Sequence, residues 1–168
     1  MSDIIPFPLS EKKLKEDIRK AELTQDLDRM YELFEQYESQ FELDEALAIK
    51  KCDMLYQMRA FLELREEAII LLKQGLNKYD ELMIYYIKSL NGLEHYYESV
   101  EVINQIIDEV RDHKTRMELF PLKEYAQSKL DSNHEQLTQS LAQFHQLNAR
   151  EQTHVLLCLL YTSPSPRD

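Results

Sequence analysis

The chain has 168 residues, of which 43% are hydrophobic and 30% charged, with two glycines, no tryptophan and a formal net charge of -11. That balance is too apolar for a disordered chain, and a sequence dominated by Leu, Glu, Lys, Gln and Ala favours helix almost everywhere. The negative charge argues against a nucleic-acid binder, whose phosphate contacts need clustered Lys and Arg, and against a protein lying on an anionic membrane.

Met1-Ser-Asp-Ile-Ile-Pro-Phe-Pro8 has no basic region ahead of an apolar run and so is no signal peptide. No apolar stretch reaches the length of a membrane span, and the expectation is a cytoplasmic protein. Residues 1–9 read as an extended segment. Ser10 then caps a helix running to about Leu23, with Leu14, Ile18 and Ala21 on one face. Thr24 and Asp26 start its partner, whose stripe is Leu27, Met30, Tyr31, Phe34, Tyr37 and Phe41. Asp44 opens a third helix carrying Leu47, Ala48, Cys52, Leu55, Met58 and Phe61, and a return helix holds Ala68, Ile69, Leu72 and Leu76. Asp80 caps a fifth, with Leu82, Met83, Tyr86, Ile87 and Leu90 inward, and Asn91-Gly92 gives the clearest stop, since either residue can close a helix in the left-handed conformation. A sixth helix spans Tyr96 to Val110. Pro121 fits the first turn of a seventh, Asp131-Ser-Asn133 turns the chain into an eighth with Leu137, Leu141, Phe144 and Leu147, and Thr153-His-Val-Leu-Leu157 begins a ninth. Strand-like alternation is absent, and short connections favour antiparallel neighbours.

A helix-opening motif recurs along this string: Leu27-Asp-Arg-Met-Tyr-Glu-Leu-Phe34, Arg65-Glu-Glu-Ala-Ile-Ile-Leu-Leu72, Tyr96-Tyr-Glu-Ser-Val-Glu-Val-Ile103 and, more weakly, Asn133 to Leu141. Its anchors Met30, Ala68 and Ser99 lie 38 and 31 residues apart, on either side of the period of about 34 of tetratricopeptide repeats. The stretch from residue 10 to 157 therefore resembles a divergent tetratricopeptide-repeat domain, without the Trp, the turn Gly and the closing Pro of that family. It is also similar to uncharacterised repeat proteins of low-GC Gram-positive bacteria that open with an Ile-Pro-Phe-Pro-like segment. The resemblance implies an all-α fold, a right-handed α-solenoid of about four antiparallel helix pairs. A plain helical bundle without repeats is the alternative.

In such arrays the first helix of each pair lines the concave face. That register would point Lys12, Lys15, Arg19, Lys50, Asp53, Gln57, Lys88 and Asn91 into a groove. Basic groups there would receive a partner's carboxylates, and the amides would hydrogen-bond an extended backbone. The plainer possibility is that these are the solvated faces of amphipathic helices. Of Tyr85-Tyr86 and Tyr96-Tyr97, one residue in each pair must turn outward, because adjacent helical residues cannot both face a core.

Chemistry of the chain's own is not indicated. The histidines at 95, 113, 134, 145 and 154 are scattered, with no His-Glu-x-x-His spacing, and there is no Gly-x-Ser-x-Gly or Gly-rich phosphate loop. No enzyme activity, cofactor or metal is expected. The function implied is a scaffold or adaptor binding a partner peptide or helix, with self-association possible. A peptide-responsive regulator whose output domain lies outside this fragment is the runner-up. Residues 158–168, Cys-Leu-Leu-Tyr-Thr-Ser-Pro-Ser-Pro-Arg-Asp, resemble the translation of a transposase-type sequencing-library adapter. They are set aside as a non-native tail, with the natural chain expected to continue beyond Leu157. Cys52 then stands alone, a small buried hydrophobe.

Overall fold

The computed structural model describes residues 10–75 and 78–144, and among them every regular element is an α-helix. In chain order these are α1 (Glu11–Leu23), α2 (Leu27–Glu38), α3 (Glu45–Gln57), α4 (Phe61–Lys73), α5 (Tyr79–Gly92), α6 (Tyr96–Ile106) and α7 (His113–Phe144). None is long and apolar enough to cross a membrane. The expected extended N-terminal segment, the ninth helix from Thr153 and the tail at 158–168 lie outside the described residues.

The starts of α1, α2 and α3 are set by side-chain caps. Ser10 Oγ accepts from the Lys13 N–H, Asp26 Oδ1 from that of Arg29, and Asp44 Oδ1 from that of Leu47, at 3.1, 3.1 and 2.8 Å. α4 and α6 begin after Ala60 and His95 with no such bond, so the sequence carried no cap there to read. Asp80, expected to cap α5, lies inside its first turn, the helix starting after Lys78 without a side-chain cap. Phe61, expected in the third helix, instead opens the fourth.

The connections α1–α2, α3–α4 and α5–α6 are each three residues long, Thr24–Asp26, Met58–Ala60 and Leu93–His95. In each, the middle residue takes a left-handed backbone: Gln25 at φ 54°, Arg59 at 59° and Glu94 at 65°. In the first two, a paired cap closes the preceding helix. The Gln25 and Asp26 N–H groups donate to the Glu22 and Ala21 carbonyls, and those of Arg59 and Ala60 to Tyr56 and Leu55, at 2.9–3.0 Å. The three left-handed residues are 34 and 35 positions apart. The same step relates buried positions. Leu14, Ile18 and Ala21 in α1 correspond to Ala48, Cys52 and Leu55 in α3 and to Met83, Ile87 and Leu90 in α5, all at most 7% exposed. Met30 and Phe34 likewise correspond to Leu64 and Ala68, then to Ser99 and Ile103, all buried. Ala68 therefore sits one helical turn after the position that Met30 and Ser99 share. Size was a poor marker of register, since Met, Leu and Ser all fill the same slot.

The chain divides into two compact units, residues 1–93 and 94–168. In the first, α1 packs on α2, α2 on α3, and α3, α4 and α5 on one another. Its core runs through Leu14, Ile18, Phe34, Tyr37, Cys52 and Leu55. Gly92 ends α5 against the Phe61 ring: a Cβ there would lie 2.3 Å from the ring's Cγ. The residue is a close-approach glycine, and Glu94, not Asn91 or Gly92, carries the left-handed turn.

In the second unit α6 packs along α7. Ile103, Val110, Leu119 and Ala126 are buried, and Tyr96 meets Tyr125 edge-on at 6.0 Å. Asp112 precedes α7 and accepts from both the N–H and the hydroxyl of Thr115, at 3.0 and 2.7 Å. α7 runs unbroken through Asp131-Ser-Asn133, where a turn was expected, and Pro121 lies inside it. The reason is local: Asp131 accepts from the Gln127 side chain at 3.0 Å, an i,i+4 bond that holds it on the helix surface instead of freeing it to cap. With helix formers on both sides and its side chains exposed, the segment has no cause to bend.

Candidate functional site

The first helices of unit 1 are tied edge to edge by side chains. Lys15 Nζ on α1 meets Asp44 at the start of α3 at 2.9 Å, and Lys50 Nζ on α3 meets Glu22 on α1 at 2.9 Å. From α3 to α5, the Tyr85 hydroxyl donates to Asp53 Oδ1 at 3.1 Å, and Lys88 Nζ lies 4.8 Å from the centre of the Tyr56 ring. A shallow depression between these helices is lined by Asp44, Glu45, Ala46, Ile49, Lys78 and Glu81. The exposed edges of α1, α3 and α5 thus form one continuous polar face.

On the other side Lys51 ties three helices together. Its ammonium meets Glu38 of α2 at 2.8 Å and Glu67 of α4 at 3.2 Å. Burial pulls this lysine's pKa down, yet the two carboxylates outweigh it and hold the group above its usual range. Beside it, burial raises the Cys52 thiol to about 12. That proton stays on, and the sulfur serves as packing.

Of the eight residues expected in a groove, Lys15, Lys50, Asp53, Gln57 and Lys88 make the contacts of this face, and most already have partners. Lys15 also reaches Glu11 at 3.4 Å, and Arg19 pairs with Glu16 at 2.6 Å. The Asp44 contact holds the Lys15 ammonium above its ordinary pKa, and Asp44 is itself lowered, first by the Leu47 N–H and then by Lys15. The Gln57 amide donates to Asp53. Lys12 is exposed on α1, with no ion pair among the described residues. Asn91 is 7% exposed, which takes it out of the accessible set. Its place on α5 belongs to the packing, one turn beyond the buried Ile87.

Lys88 differs in kind. Among the described residues it has no carboxylate partner, and its ammonium sits against two rings, Tyr56 at 4.8 Å and Tyr85 at 5.2 Å. Tyr56, 37% exposed, also meets Phe61 at 6.1 Å with the rings tilted, and the Phe61 ring lies under the Arg59 guanidinium at 5.7 Å. The result is a small aromatic platform carrying two cations beside the acceptor Asp53 and the amide of Gln57. It can take a carboxylate or a backbone carbonyl at Lys88 while an apolar side chain covers Tyr56. Reading residues one helix at a time missed Tyr56 and Phe61. The left-handed turn at Arg59 places the end of α3 against the start of α4, and no turn residue in the sequence announces it.

Of the two tyrosine pairs, Tyr97 is 67% exposed while Tyr96 is buried, and Tyr85 and Tyr86 are both half-buried. Among the described residues no group of three His, Cys, Asp or Glu side chains could hold a metal ion. Comparison with protein-family models, curated proteins and solved structures gives no match.

Proposed function

We propose that this chain is a divergent tetratricopeptide-like solenoid that serves as a protein-interaction module, a scaffold or adaptor without chemistry of its own. The observation that carries the reading is the step of 34 and 35 residues, which recurs in backbone conformation and in buried positions at once. A plain bundle has no reason to repeat either. The partner-binding surface is the face of α1, α3 and α5, and its centre is Lys88 with Tyr56, Tyr85, Asp53 and Gln57. The partner is a peptide or helix that sets an acidic side chain beside an apolar one. The pairs made by Lys15, Arg19 and Lys50 are solvent-exposed, so each holds its partner weakly and can exchange it for a ligand's carboxylate.

Selection of a random-peptide library on the purified protein tests this. The expected outcome is enrichment of acidic-apolar peptides whose affinity falls roughly tenfold, about 1.4 kcal/mol, in Lys50→Glu/Lys88→Glu. Lys12→Glu/Lys15→Glu/Arg19→Glu should weaken binding less, and neither variant should lose helical signal. Peptides held equally well by all three proteins would sink the assignment of this face.

A further inference from the structure

The apolar stripe of α7 is longer than its cover. Thr115, Leu119 and Ala126, on the face packed against α6, are buried. At about 100° per residue the same face continues through Leu130, Leu137 and Leu141. Beyond the half-buried Leu130 it is bare: Leu137 is 48% and Leu141 45% exposed, and every side chain described from Asp131 to Ala142 is exposed. The other large apolar residues exposed on α7, Met117, Phe120 and Tyr125, lie off this stripe.

We propose that this distal half of α7 is the contact through which two copies of the chain associate, α7 against α7, antiparallel about a two-fold axis near Leu137. Three observations favour a second copy. The stripe is continuous with a helix–helix seam already present in the fold, so the surface is shaped for a helix. From Gln136 to Phe144 the sequence has no charged residue, in a protein of net charge -11; here two copies meet without the like-charge repulsion that opposes contact elsewhere. Antiparallel pairing centred on Leu137 also sets Asp131 and Glu135 opposite uncharged positions, a self-complementary arrangement of the kind a two-fold interface requires. The same lack of Lys and Arg leaves nothing to draw the helix onto an anionic lipid surface. From residue 130 to 144 the contact is about 21 Å long at 1.5 Å per residue. That is at the small end of specific interfaces, and the dimer should form in the micromolar range.

Sedimentation of the full chain from roughly 1 to 500 µM tests the proposal, alongside Leu137→Glu/Leu141→Glu and the control Met117→Glu, which lies on another face of α7. The expected result is a monomer–dimer equilibrium for the wild type and the control, and a monomer throughout for the double variant with its melting temperature kept. A wild type that stays monomeric at every concentration overturns the proposal. So does a dimer that survives the double substitution, because its interface lies elsewhere. A monomeric wild type whose melting temperature drops in the double variant also overturns it, by showing that the stripe is covered from within the same chain.

Discussion

Gly92 shows how much one missing methyl group can decide. Alanine is the better helix former by about 1 kcal/mol, and Gly92 lies within α5, so propensity alone makes Gly92→Ala stabilising. A Cβ 2.3 Å from Phe61 Cγ reverses the sign: overpacking of this kind costs about 1–3 kcal/mol. Gly92→Ala should therefore lower stability, and in a Phe61→Ala background the same change should be neutral or favourable. Urea denaturation of the four proteins measures the coupling, and additive effects would remove Phe61 from the account. At this scale the sequence was only partly legible. Gly92 was read as a helix stop, and α5 does end there; its close approach to Phe61 was hidden, because spacing along the chain cannot show what approaches from another helix. Lys88 was placed on the candidate face from its helix position, but its two tyrosine rings come from α3 and α5 together. Asn91 was misjudged because it follows the apolar Leu90 on a helix whose end is itself enclosed.

The connections carry the element-scale lesson. Gln25, Arg59 and Glu94 hold a backbone conformation that suits glycine, and a side chain there costs about 1 kcal/mol or more. Replacing each with glycine should raise the midpoint of thermal unfolding, with the three gains adding. A drop at any one would mean that its side chain contributes more than the strain removes. Periodic apolar stripes made α1 to α6 legible, and caps fixed three of their starts. The turns themselves were hidden, since Gln, Arg and Glu are not turn-forming residues by composition. α7 was misdivided for the opposite reason. Asp131-Ser-Asn133 has turn chemistry, yet Gln127 engages Asp131 along one continuous helix.

For the whole molecule, the first unit holds a core of its own built from α1 to α5. A fragment of residues 10–93 should fold alone, with the circular dichroism of a helical protein and cooperative melting. A fragment that stays unfolded would mean that the core depends on the remainder of the chain. The helical class was legible from composition. The repeat period was legible only within a few residues, because the recurring feature is backbone geometry, which different side chains can satisfy.

The two kinds of connection also differ in how freely they can change. Turns of three residues with one left-handed centre recur without variation, whereas the links after α2, α4 and α6 run to six, five and six residues. Lengthening one of these longer links adds little closure entropy, while an extra residue in a three-residue turn would rotate the following helix out of its packing. Insertional tolerance should therefore alternate along the chain, high after Glu38 and Ile106 and low at Gln25 and Arg59. Natural length variation and grafted tags would be accommodated at every second joint.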